Sequence, residues 1–148
     1  MTDRYRRLGP LPLRLMLTMG LLYHGLPRLT AAGHENLARV LQELGLSSPG
    51  AIAWTIGGVE VVGALFLLLG FQVRVVVIPL IIQLVFMIAK VHWPQAGLPG
   101  IELHLVYLAM LIALWFLGPG RLSIDERRHR DTYTKPFLIR HEEVATRA

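Results

Sequence analysis

The chain predicts an all-α integral membrane protein: a four-helix bundle with a short amphipathic helix between its first two spans. Two observations carry this. The first is composition. Of 148 residues, 53% are apolar and only 17% are charged, with a mean hydropathy of +0.50. Soluble domains carry roughly 25% charged residues. The second is pattern. Long apolar runs such as Val61–Gly70 and Ile78–Ile82 lack the polar stripe that a surface helix of a soluble protein shows every third or fourth residue. A chain of this length fits one domain and cannot enclose several all-apolar helices in a core of its own. Disorder and an ordinary water-soluble enzyme are therefore disfavoured. The absence of cysteine excludes disulfides, iron–sulfur ligation and thiol redox chemistry within this chain.

The transmembrane domain is expected over residues 1–120, with spans at about 11–32, 50–71, 74–92 and 101–118, and a basic cytoplasmic tail over 121–148. Spanning needs about 20 apolar residues at 1.5 Å each. The first segment is the weakest, because it holds Arg14, His24, Pro27 and Arg28. A signal peptide is the competing reading, given its basic start and the small residues Ala31–Ala32; we expect a retained span. Between the first two spans, Leu37, Val40, Leu41 and Leu44 recur at helical spacing, so Gly33–Leu46 reads as an amphipathic helix on the outer leaflet or over the bundle. Ser48-Pro49 offers a hydroxyl N-cap and an N1 proline for the second span. The third and fourth cores are short, and Arg74 and Lys90 can extend them by snorkelling. Gly70–Arg74 reads as a tight turn, His92–Gly100 as a loop, and Gly118-Pro119-Gly120 as a stop.

The net charge of +5 and the sequence pI near 10.2 raise nucleic acid as a partner. Sorting the cations along the spans removes it. Twelve of the 15 Lys and Arg residues fall on the side of the termini and the Gln72–Arg74 turn; Arg28, Arg39 and Lys90 fall on the other. The positive-inside rule then places both termini in the cytoplasm of a multi-pass cell (plasma or inner) membrane protein. The basic run Arg127–Arg130 can also touch anionic lipid heads.

Glu60 lies mid-span, where a charge costs about 2.5–3.5 kcal/mol on insertion scales. Ala53, Gly57, Gly63 and Ala64 share its helix face, a small-residue surface that admits another helix. Glu60 is therefore expected to face the bundle. His24 and Arg28 share one face of the first span; Gln83, Met87 and Lys90 share one face of the third. On the fourth, His104 lies nearly opposite Glu102. Two readings stay open. Arg28 with Glu60, and Lys90 with Glu102, can be charge pairs that lock helices. Alternatively, Glu60 and His24 are a proton-handling catalytic pair in a pocket whose ligand is held by Arg28, Gln83, Lys90, His92, Glu102 and His104. A metal centre built from His24, His92, His104 and a carboxylate lacks the i, i+4 histidine pair that would support it, so no metal is expected.

These residues, in order, resemble the DoxX family over about Leu13 to Asp125. The resemblance rests on Tyr23-His24-Gly25-Leu26-Pro27-Arg28-Leu29, on Gly57-Gly58 with Glu60 and Gly63, and on Leu69-Gly70-Phe71 before Arg74. It continues through His92-Trp93-Pro94, Gly100-Ile101-Glu102 and the ending Gly118-Pro119-Gly120-Arg121-Leu122-Ser123-Ile124-Asp125. Arg28 stands where the family pattern often has lysine, which replaces a titratable amine by a planar fork. The resemblance implies a quinone-linked oxidoreductase subunit, related to a subunit of thiosulfate:quinone oxidoreductase. It also implies membership of a membrane complex for thiol and oxidative-stress homeostasis. It implies a quinone as cofactor and redox subunits as partners beside the lipid bilayer. A non-catalytic scaffold for soluble redox enzymes and a small-solute transporter stand as alternatives; four short helices make a thin conduit, so the transporter would need a homo-oligomer.

Overall fold

Prolines open and glycines close most of the helices that the chain forms. The computed structural model describes residues 8–120 and 122–128. Helix α1 spans Pro10–Arg28, α2 Ala31–Glu43, α3 Pro49–Leu69 and α4 Val73–Met87. A π-helical turn, Ile88–His92, continues α4 directly into α5, Trp93–Leu117. No strand occurs among the described residues.

Three helical stretches are long and apolar enough to cross a membrane: Pro49–Leu69, Val73–His92 and Gly97–Leu117. The expected fourth span, α1, is not among them. It is long enough at 19 residues, but Arg14, His24, Arg28 and three prolines dilute its apolar character. The loop expected at His92–Gly100 is also corrected. The chain stays helical there and bends only at Gly97, which has φ 59° and ψ −149°. Proline does not act as a breaker here because Pro94 and Pro99 each sit in the first turn of a helical piece, where no N–H partner is lost. Ser48 does not cap α3 through its side chain; it adopts φ 61° instead, and Pro49 begins the helix. The turn expected at Gly70–Arg74 is present, with Gly70 and Gln72 both at positive φ.

The main core joins α1, α3, α4 and α5 through Leu17, Leu21, Ala64, Leu67, Val77, Leu80, Leu111 and Leu114. Helix α2 covers one end of the bundle: Leu37 and Leu41 pack with Ala53, Ile56, Met87 and Val91. Of its expected stripe, Leu44 is exposed. The small-residue face read around Glu60 is buried in full, from Ala53 to Ala64. Close helix approach explains it. A Cβ on Gly63 would lie 2.9 Å from Leu80 Cδ2, and one on Gly25 would lie 2.9 Å from Glu60 Cβ. Gly20 receives the Tyr107 ring and hydroxyl, which occupy the space a Cβ would need.

The other end is tied by Arg14, which is only 2% exposed. Its Nε donates to Leu67 O at 2.7 Å, a carbonyl that also accepts from the Gly70 N–H, and its Nη2 donates to Leu68 O at 2.8 Å; both carbonyls lie in the last turn of α3, beyond the reach of an i+4 partner within the helix. Its Nη1 donates to Pro119 O at 2.9 Å and to Leu122 O at 3.0 Å. The chain after α5 is thus folded back onto the α3–α4 turn. There Asp125 accepts from the N–H groups of Gln72 and Val73 at 2.9 and 3.1 Å and caps α4. Ser123 is buried, donating to Gly120 O and accepting from the Glu126 N–H. The start of the tail is therefore anchored as far as it is described; residues 129–148, the N-terminal arginines and half of the basic run lie outside the described residues.

Replacing Arg14 by Lys removes the fork that serves four carbonyls on two segments. It should cost about 2 kcal/mol, seen as a lowered unfolding midpoint in detergent. Gly20→Ala should destabilise by about 1–3 kcal/mol through overpacking against Tyr107. Gly58→Ala meets nothing within 4 Å and should be neutral or slightly stabilising in the same assay.

Candidate ligand pocket

The ionisable groups that the apolar helices carry meet between α1, α3, α4 and α5. Glu60 sits at the middle of α3 and is 7% exposed. An anion there needs donors, and two neighbouring helices provide them. Arg28, at the end of α1, donates through Nη1 to Glu60 Oε1 and forms an ion pair with it. Gln83, on α4, donates through Nε2 to the same oxygen at 3.0 Å. The second oxygen, Oε2, is buried with no hydrogen-bond partner. One carboxylate oxygen is thus doubly served and the other is left as an open acceptor. Gly25 makes this possible, because a Cβ there would lie 3.3 Å from Oε2.

A pocket adjoins this pair. Its polar wall is His24, Arg28, Glu60, Gln83, His104 and Tyr107; its apolar wall is Leu17, Leu21, Leu80, Leu84, Met87 and Leu111. Its empty volume, mouth included, is about 500 Å³. His24 meets Tyr107 edge to face, with ring centroids 6.4 Å apart. His104 Nδ1 makes no hydrogen bond of normal geometry; the Gly100 carbonyl one turn earlier interacts with the ring too weakly to count as one. His92 does not line the pocket but lies against His104, with ring centroids 3.9 Å apart and planes at 42°. Its Nδ1 lies 3.0 Å from Met87 O. A carbonyl only accepts, so Nδ1 carries the proton, and Nε2 is the ring's free nitrogen.

Of the site residues read from the sequence, His24, Arg28, Glu60, Gln83 and His104 are brought together, and His92 joins them through His104. Lys90 and Glu102 are exposed and line no part of the pocket. The wider π turn explains the position of Lys90. It breaks the α-helical spacing that would put Lys90 on the Gln83 and Met87 face. The charge-pair and pocket readings are not exclusive here: Arg28 pairs with Glu60, and a pocket lies beside the pair. Among the described residues no three His, Asp or Glu side chains stand close enough to hold one metal ion. Tyr107 is the lining polar group that the sequence does not single out as a site residue. Its signal is its place one turn after His104 on the same face.

The polar lining residues supply a carboxylate as acceptor and the remaining N–H groups of Arg28 and Gln83 as donors. The other lining residues offer only hydrocarbon and a thioether. Such a site suits a small flat ring with a carbonyl or hydroxyl at one edge. A protein-family model described as DoxX matches residues 9–93, more than half of the chain. No curated protein and no solved structure matches. The matched stretch contains Arg14, His24, Arg28, Glu60, Gln83 and His92 but ends before His104 and Tyr107. With its bundle of apolar helices and this family match, the chain belongs to the DoxX family.

Proposed function

We propose that the chain is the membrane subunit of a quinone-linked oxidoreductase and that the pocket beside Glu60 binds the quinone ring. The observation that carries this is Glu60: its Oε2 is a buried acceptor with no hydrogen-bond partner, and the residue lines a half-polar, half-apolar pocket. A buried polar atom left unpaired costs about 1–3 kcal/mol, which a ligand hydroxyl recovers. Arg28 and Gln83 would hold a ring carbonyl through N–H groups not used on Glu60. A bound quinone supplies two-electron, two-proton redox chemistry. Glu60 and His24 would handle the protons, and the leucines would exclude water from the ring. With no cysteine in the chain, electrons must come from a partner subunit or a second cofactor.

The same reading makes α1 a fourth membrane-embedded helix with both termini cytoplasmic. Its two arginines are satisfied inside the protein, Arg14 by carbonyls and Arg28 by Glu60. Its outward face carries Leu15, Met16, Met19, Tyr23 and Leu26, all exposed. A helix that turns its charges inward and presents apolar side chains outward is compatible with lipid.

Glu60→Gln is the sharpest test. The amide oxygen can still accept from Arg28 and Gln83, while the Oε2 position becomes a donor. Binding of a simple probe such as duroquinone to the purified protein should weaken by roughly tenfold or more. Leu84→Trp, which fills the apolar wall without touching a charge, should weaken it as well. Wild type that retains no quinone on extraction and binds no duroquinone overturns the reading.

A further inference from the structure

The polar groups of the bundle are distributed unequally about Glu60. Towards the end that carries Arg28 and α2, ionisable rings continue from the pocket to the surface. His104 lines the pocket, and His92 lies against it at 3.9 Å between ring centroids. His92 is half-buried in the π turn where α4 passes into α5, beside the exposed Lys90 and Trp93. Towards the end that carries Arg14, nothing comparable exists among the described residues. Leu17, Ala64, Val77, Leu80, Leu111 and Leu114 are each no more than 2% exposed. The polar groups there are engaged: Thr18 donates to Ala64 O at 3.3 Å, and the Arg14 guanidinium donates to four carbonyls.

We propose that His104 and His92 form a proton path joining the Glu60 pocket to one end of the bundle only, the end bearing Arg28 and α2. The proposal rests on the pocket being a site of proton chemistry, and it adds where those protons come from. A hydrophobic layer with no free donor or acceptor does not pass protons, whereas adjacent imidazoles do. His104 takes a proton from Glu60 or from a ligand hydroxyl on one ring nitrogen and releases one from the other. His92 accepts it at Nε2, because Met87 O holds its Nδ1–H, and passes a proton to water from that same nitrogen. Each ring gains one proton and loses one; His92 returns to its starting tautomer, whereas His104 is left as the opposite tautomer and is reset by rotation of its ring before the next transfer. The π turn contributes by breaking the α-helical spacing at His92, whose ring it sets against His104. Other charged or titratable groups around the two rings are His24 and Arg28 from α1, Glu60 from α3 and Tyr107 from α5; Lys90 and Glu102, on the same elements as the rings, are exposed. His24 is close enough to the ring pair to interact with it electrostatically.

The path is tested without any quinone, so its failure is distinguishable from failure of the binding reading. The full chain, labelled with ¹⁵N-histidine, is placed in lipid nanodiscs. NMR then reads the His92 tautomer and the rate at which the His104 ring N–H exchanges with water. The expected result is a proton on His92 Nδ1 and exchange at His104 slowed by roughly 100-fold in His92→Leu. His92→Gln retains a donor for Met87 O but cannot take and release a proton, so it should slow exchange in the same way even if the Leu variant folds poorly. Lys90→Ala, at an exposed neighbouring position, should leave the rate unchanged. Exchange at the wild-type rate in His92→Gln would show that protons reach His104 by another route and overturn the proposal, as would slowing of equal size in Lys90→Ala.

Discussion

A carboxylate at the centre of an apolar bundle imposes its requirements on every helix around it. Glu60 needs donors, so α1 must bring Arg28 and α4 must bring Gln83 to the same oxygen. It needs α1 to come close, so Gly25 and Gly57 must lack side chains where the helices touch. A buried ion pair of this kind is poor evidence for stability, because desolvation opposes the attraction. Its value is specificity. Few arrangements of four helices place a guanidinium and an amide on one carboxylate oxygen while leaving the other oxygen buried without a hydrogen-bond partner.

The opposite end solves a different problem with the same residue type. Helix C-termini leave carbonyls without an i+4 partner, and in a membrane-facing bundle such groups are expensive. Arg14 gathers two of them from α3 and two more from the segment after α5. One guanidinium therefore closes the bundle and fixes the chain that leaves it, and Asp125 is set over the start of α4 as a result. The two arginines of α1, one buried and one partly exposed, divide the labour: Arg14 holds backbone, Arg28 holds a side chain at the pocket.

Much of this is legible in the sequence. The helix face shared by Ala53, Gly57, Glu60, Gly63 and Ala64 comes from spacing alone, as does the amphipathic stripe of α2. His24 and Arg28 on one face, and Gln83 with Met87 on another, place most of the pocket without knowledge of the fold. The parts that are not legible depend on partners distant in the chain. Arg14 reads as a topology charge because its acceptors are backbone carbonyls more than 50 residues away, and carbonyls leave no mark in a sequence. The loop expected after His92 rests on the number of prolines, which does not reveal whether each stands in the first turn of a helix. Lys90 falls on the pocket face only if an α-helical period is carried through a turn that is not α-helical.

That turn also governs how the chain tolerates change. Five residues, Ile88–His92, occupy a wider coil than an α-helix would use, and Trp93 N–H donates to Ile88 O five residues back. The turn thus holds one residue more than the regular spiral needs. Loss of a single residue within it would restore the ordinary spiral and leave the faces of α5 where they are, because the wide turn takes up its extra residue in one circuit of the axis. What would change is the face occupied by the residues inside the turn: the number of residues between Met87 and His92 sets where the His92 ring stands as much as its identity does.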